Sequence, residues 1–302
     1  MYVNGVQQDA ASKNYTGMFY NELENNPAPP WITLVFRIVF AIVRQQIFAF
    51  TKGVAGLREW VGERRVKSLS EYSIIVKKKN WELTFGVDRD SVLFDGQTLN
   101  LISDAITGLA QSVPRHFVQF FAQLCLGGFT APAYDGANFF DANHPNGGGG
   151  VVSNTTNVAL SAAAWEAAKT AAGKWVNPDT GNPLLIKYTH LFYGIQSEAA
   201  QLQTFGAPQL AGGATNVYYN AIPEANRILV QEFGDTGKWF LFDLSKLFKP
   251  FALLIVKGMD FVAFDKPTDW IVFSENEYVY GLDTMDNAGY MLPELAYGSS
   301  VA

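Results

Sequence analysis

Asp141 and His144 are the first residues in this chain whose types and spacing could do chemistry. They sit three apart in Phe139-Phe140-Asp141-Ala142-Asn143-His144-Pro145 and carry the groups of an acid–base pair or of two metal ligands. A transition-metal site needs three or four such ligands. The chain has only three histidines, and His116 and His190 lie in unrelated patterns. Asp141 and Asn143 therefore read as turn formers that bond to nearby backbone N–H groups, with His144-Pro145 fixing the exit. The glycines Gly147 to Gly150 lack the Gly-Lys-Ser/Thr ending of a phosphate loop. The single cysteine, Cys125, lies in the apolar run Phe120-Phe121-Ala122-Gln123-Leu124-Cys125-Leu126 and reads as a buried, inert thiol. It also excludes an internal disulfide framework. No Gly-x-Ser-x-Gly elbow occurs, nor a carboxylate pair spaced for glycosidic chemistry. The reading is no enzyme, no cofactor and no metal.

The remaining candidates are residues that could grip another macromolecule. Lys77-Lys78-Lys79 is a concentrated cationic run in a chain whose net charge is -6. Runs of this kind are usually solvated faces, and the overall acidity argues against a broad DNA-gripping surface. Steering toward an acidic neighbour is the more informative reading. Trp60 and Trp81 flank the run, and tryptophan is enriched among interface hot spots. Hydrophobic residues make up 48% of the chain and charged ones 17%, against about 25% charged in ordinary soluble domains. A monomer so composed must bury nearly all its large side chains or show apolar patches, and such patches mark partners.

The elements that must position these residues can be read in order. Residues 1–30 are polar, lack the apolar core of a leader peptide, and end in Pro27-Ala28-Pro29-Pro30; they predict an extended arm. Trp31 to Phe50 is apolar, but Arg37, Arg44, Gln45 and Gln46 interrupt it, so it predicts buried strands and no membrane span. Between residues 51 and 95, Tyr72-Ser73-Ile74-Ile75-Val76 and the alternating Trp81, Leu83, Phe85, Val87 predict two strands of a long hairpin. A lone hairpin is marginal in water, so it is expected to rest on another subunit. Ile102, Ala105, Ile106, Leu109, Ala110 and Val113 form a helical stripe, which Phe117, Phe120, Phe121 and Leu124 resume after Pro114. Proline predicts a kink or break there. Ser161 is placed to cap a short Ala-rich helix ending at Gly173. Strands are expected at Leu184 to Tyr188, and through the last third at Trp239 to Leu244, Phe251 to Lys257, Phe261 to Phe264, Trp270 to Phe273 and Tyr278 to Gly281.

Four stretches carry a family likeness, in order along most of the chain. They are Leu57-Arg58-Glu59-Trp60-Val61-Gly62-Glu63-Arg64; Tyr134-Asp135-Gly136 with Phe139 to Pro145; Gly237-Lys238-Trp239-Phe240-Leu241-Phe242-Asp243; and Tyr278 through Tyr290. Together they resemble the major head subunit (gpT) family of Mu-like phages. The resemblance implies an α+β capsid fold of the Hong Kong 97 type. On it, residues 1–50 would form the N-terminal arm and first P-domain strands, 51–95 the E-loop hairpin and 96–128 the P-domain spine helix. Residues 129–250 would form the A-domain, and 251–302 the strands completing both domains. It further implies a self-assembling major capsid protein of the virion. Hexamers and pentamers would build an icosahedral shell in the host cytoplasm, with portal, scaffold and decoration proteins as partners and packaged DNA touched only non-specifically. The expected inter-subunit contacts in the E-loop are Trp60, Arg64, Arg65, Lys77, Lys78, Lys79 and Trp81. An encapsulin-like nanocompartment shell is the rival within the class, and a metal-dependent enzyme the rival outside it.

Overall fold

The computed structural model describes residues 5–50, 72–94, 98–146, 150–177, 181–210 and 212–301. The chain opens with helix α1 (Gly5–Asn25), followed by the short α2 (Ile32–Val35). The extended arm expected from the polar composition is thus a helix over most of its length. Its apolar residues Tyr15, Met18, Phe19 and Leu23 recur at three- and four-residue steps, enough for one stripe. Tyr15 and Phe19 bury that stripe against Ile102 and Ile106.

Strand β1 (Phe36–Phe40) is followed by β2 (Gln45–Phe50), β3 (Tyr72–Lys77) and β4 (Lys79–Asp88). The pairing corrects the expected hairpin. β3 pairs antiparallel with β2, from Gln45↔Lys77 to Phe50↔Tyr72, so the hairpin arms are 45–50 and 72–77 and they enclose residues 51–71. β4 leaves that hairpin at Lys78 and enters a different sheet. Burial also departs from expectation before it: Phe40 and Ile42 are 76% and 95% exposed, so the Trp31–Phe50 run is not wholly interior.

After α3 (Arg89–Phe94), helix α4 (Thr98–Gly127) runs for 30 residues straight through Pro114. No break occurs. Proline removes one backbone donor, but the packed stripe on both sides, Ala110 and Val113 before it and Phe120 and Phe121 after it, holds the helix in register. Cys125 is fully buried on this face, and burial pushes its thiol up well above the ordinary value.

The chain then builds β5 (His144–Asn146), β6 (Gly150–Val152), β7 (Thr155–Thr156), α5 (Ala162–Lys174), β8 (His190–Tyr193), α6 (Glu198–Gln201), β9 (Arg227–Leu229) and β10 (Trp239–Phe242). Ser161 caps α5 as expected, its side chain accepting from the Ala164 N–H at 3.2 Å. Leu184 to Tyr188 forms no regular strand. Two long strands follow, β11 (Phe251–Phe264) and β12 (Glu277–Tyr290), separated by α7 (Trp270–Ser274) where a strand was expected; β13 (Ala296–Ser299) ends the fold.

These strands form two main sheets. The first has order β1-β11-β12-β4, with α4 and α1 on one face. The second has order β7-β13-β10-β8-β9. In β10 all four residues are buried, because both faces are covered. Trp239 and Leu241 meet Trp165 and Ala168 of α5. Phe240 and Phe242 meet Phe121 of α4 and Phe251 of β11, which joins the two sheets in one aromatic core. Trp31 wedges into that core with its ring 5.0 Å from both Phe121 and Phe192. Phe140 lies so close to Gly298 that a Cβ there would come within 2.8 Å of its ring. Glycine is required for that approach.

Candidate inter-subunit surface

Trp60, Arg64 and Arg65 lie outside the described residues. Lys77, Lys78, Lys79 and Trp81 are described, and the exit of the β2–β3 hairpin positions them. The Lys78 N–H donates to the Arg44 carbonyl at 3.0 Å, closing the hairpin base. Asn287 donates to the Lys77 carbonyl at 2.6 Å, so the backbone is anchored while the Lys77 and Lys79 side chains are exposed. Lys78 Nζ donates to Asn80 Oδ1 at 2.8 Å, and Lys79 Nζ rests 5.9 Å from the Trp81 ring centroid. Among the described residues no carboxylate pairs with Arg44 or with any of the three lysines.

Trp81 belongs to a different environment. Its ring packs edge-on against His116 and Phe120 at 5.2 and 5.5 Å, and its Nε1–H donates to the Asp286 carbonyl at 3.3 Å. His116 Nε2 lies 3.0 Å from the buried Asp286 carboxylate. Trp81 therefore helps close α4 onto the first sheet within its own subunit. The alternation that placed it on a strand was correct, and the same alternation points it toward α4.

The structure adds residues that the sequence reading missed. Ile47 and Ile75 lie directly opposite each other in the hairpin and are 56% and 57% exposed. Phe40 at the end of β1, and Ile42 and Val43 in the turn that follows it, are exposed beside Arg44. The strand alternation of 45–50 and 72–77 carried the signal: Phe48, Phe50 and Val76 are buried, so the intervening Ile47 and Ile75 must face away. An apolar patch thus borders the cationic run.

The Asp141–His144 stretch does something else. His144 is fully buried, with Nδ1 at 2.7 Å from Asp135 Oδ2 and Nε2 at 3.1 Å from Asn154 Oδ1. Asn154 Oδ1 also accepts from the Asp141 N–H at 2.8 Å, while its Nδ2 donates to the Phe139 and Pro293 carbonyls at 2.8 and 3.0 Å. Both ring nitrogens of His144 already face a protein oxygen. Among the described residues no group of three His, Cys, Asp or Glu side chains could hold a metal ion. For Asp141, partial burial acts to raise the carboxyl pKa. The backbone N–H groups of Asn143 and Asn138 outweigh it, helped by nearby His144, and hold the group below the usual carboxylate range. This is a turn lock. Among the described residues no helix is long and apolar enough to cross a membrane.

Solved structures with the same fold give this arrangement its class. A procapsid subunit of bacteriophage JBD30 aligns with 99% of this chain and 77% of its own, with a TM-score of 0.58 at 19% identity. A virus-like particle protein from Pyrococcus furiosus aligns with 95% of this chain and 98% of its own, with a TM-score of 0.52 at 7% identity. The fold is the α+β architecture of Hong Kong 97-type capsid subunits. The family model of the Mu-like prophage major head subunit gpT matches residues 9–171 and 223–302, and the chain belongs to that family. The major capsid protein of Escherichia phage Mu is 29% identical over 163 residues, 52% of each chain. The Mu-like prophage FluMu major head subunit of Haemophilus influenzae is 23% identical over 120 residues, 40% of this chain and 38% of its own. The chain thus matches about half the length of the first relative and less of the second.

Proposed function

We propose that this chain is the shell-forming major capsid subunit of a Mu-like phage head. Copies associate as hexamers and pentamers into an icosahedral shell of the virion that encloses DNA, assembled in the host cytoplasm. The observation that carries this reading is the margin around the β2–β3 hairpin. Its cations lack carboxylate partners among the described residues, and its apolar side chains are exposed, while the buried polar node at His144 is saturated. Shell subunits need many modest contacts at once, because avidity multiplies them. The hairpin is the E-loop of this reading, with its arms at 45–50 and 72–77, and Trp60, Arg64, Arg65 and the three lysines are its contact candidates. α4 is the spine helix, the first sheet belongs to the P-domain and the second to the A-domain. Portal, scaffold and decoration proteins are the further partners, and packaged DNA is met without sequence specificity. The nanocompartment reading has only the shared fold in its favour, whereas the family match is to head subunits.

Negative-stain microscopy of the purified protein tests the proposal. Closed shells are expected, and nuclease-protected DNA in shells recovered from infected or induced cells separates a phage head from a cargo compartment. A protein that stays monomeric with its scaffold present would overturn the reading.

A further inference from the structure

Two exposed apolar surfaces stand at opposite ends of strand β4. One is the corner formed by Phe40, Ile42, Val43, Ile47 and Ile75, bordered by Arg44 and Lys77 to Lys79. The other lies at the far end of the β11–β12 ribbon. There Trp270 and Phe273 are 76% and 77% exposed, with ring centroids 5.9 Å apart, and Val262 and Phe264 continue the surface on the strand before them. Lys79 and Asp88 bound β4. At about 3.3 Å per residue the two ends are about 30 Å apart, too far to meet within one copy.

Their charges are opposite, and each is internally repulsive. The rung of Asp260, Asp283 and Glu82 lies along the ribbon only three residues from Lys79, and Lys257 bonds Asp283 and Asp260 there. The acids of the far end are Asp88, Asp90, Glu275 and Glu277, beside Arg89 and Lys266. Glu277 and Asp88 are directly paired in register. Like charges directly opposite in a sheet are destabilising. Glu275 and Asp90 are exposed nearby. At the near corner three consecutive lysines and Arg44 crowd together with no ion-paired carboxylate among the described residues; the one acid in register there, Asp286 opposite Lys79, is buried against His116. Among the described residues the corner remains net basic and the far end net acidic, and each matches the other in sign and in apolar character.

We propose that the basic apolar corner of one copy docks on the acidic aromatic end of the β11–β12 ribbon of a second copy. The inference rests on the shell reading and names the surface that the lysines meet. Because the two patches differ, the contact is heterologous, and repeating it closes a ring when the rotation permits. Trp270 and Phe273 supply the buried anchor, and the charges set register and approach.

Zero-length carbodiimide coupling on shells of the unaltered protein tests this contact, with peptides read by mass spectrometry. Isopeptide links from Lys77 to Lys79 to Glu275, Glu277, Asp88 or Asp90 are expected in covalent dimers and larger species. Links from these lysines only to other acids, or none, would overturn the proposal. A charge exchange gives an independent readout. Lys77→Glu with Lys79→Glu, and separately Glu275→Lys with Glu277→Lys, should each lower the yield of closed shells at least tenfold. The four changes together should restore it to within about twofold of the parent. A combined variant no better than either pair would overturn the contact, as would either pair assembling like the parent. Circular dichroism of each variant controls for folding, and the cross-links need no variant at all. A parent that forms no shells refutes the shell reading, whereas a parent that assembles without these links refutes only this contact.

Discussion

The His144 node and the Lys77–Lys79 corner both concentrate polar side chains, yet the fold treats them oppositely. Around His144 every donor and acceptor named has a partner inside the subunit: Asp135, Asn154, the Asp141 N–H, and the carbonyls of Phe139 and Pro293. At the corner the backbone is tied down, but the lysines find one amide, one thioether sulfur, one aromatic face and no ion-paired carboxylate among the described residues. The difference separates polarity that builds the subunit from polarity held out for something else. Burying an unpartnered polar group costs several kcal/mol, so the node had to close. The exposed corner carries no such demand.

The sharpest way to break the comparison is Asn154→Ala. The truncation strands His144 Nε2, the Asp141 N–H and two carbonyls, and each buried unsatisfied group costs about 1–3 kcal/mol. The subunit should lose about 3–5 kcal/mol, read from the urea midpoint of unassembled protein, allowing for water entering the gap. A loss below about 1 kcal/mol would mean that the node is decoration.

Trp81 marks the border between the two regions. Trp81→Ala removes a partly buried ring from the contact with His116 and Phe120, and should cost about 2–3 kcal/mol of folding stability, at or below the lower end for aromatic truncations. Unchanged stability together with lost assembly would return Trp81 to the interface. Replacing Lys77, Lys78 and Lys79 with Glu should change folding stability by no more than about 0.5 kcal/mol, as surface substitutions do. Closed shells should nevertheless become scarce. Added salt should relieve part of the defect, since exposed charges are screened beyond about 8 Å at ~0.15 M ionic strength. A misfolded variant would place the lysines inside the subunit's own architecture.

Much of this was legible in the sequence, and the failures share a cause. The stripe from Ile102 to Leu124 gave α4 because one buried face over about six turns leaves a dense periodic signal. The alternation from Trp81 to Val87 gave β4 because one face is wet. The partner of β4 was not legible: it pairs with β12, about 200 residues away, and alternation fixes a strand's faces but not its neighbour. α1 was missed because a four-residue stripe hides in a polar segment. Trp270 to Phe273 was read as a strand because a short apolar run does not distinguish strand from helix. At the candidate surface, the exposure of Lys77 and Lys79 was legible. The apolar patch beside them was not, since the exposure of Ile47 and Ile75 follows only once β2 and β3 are registered against each other.

The smallest effect expected is a titration that belongs wholly to folding. His190 begins β8, half-buried, with Nδ1 at 2.9 Å from the Thr189 hydroxyl and its ring stacked 6.4 Å from Phe192. Burial, and then the charge of Lys249, hold its pKa below the ordinary 6.5, while Asp243 opposes them. Because the folded value is the lower one, the unfolded chain takes up this proton more readily as the medium acidifies. The contribution is therefore present above about pH 6.5 and is lost as the pH falls through the interval down to the folded value. The urea midpoint of unassembled protein should decline over that window, and His190→Gln should flatten the decline without altering the approach of one subunit to another. If the variant instead changed the pH dependence of shell formation while the midpoints stayed parallel, His190 would belong with the lysines on the outward-facing side of the comparison.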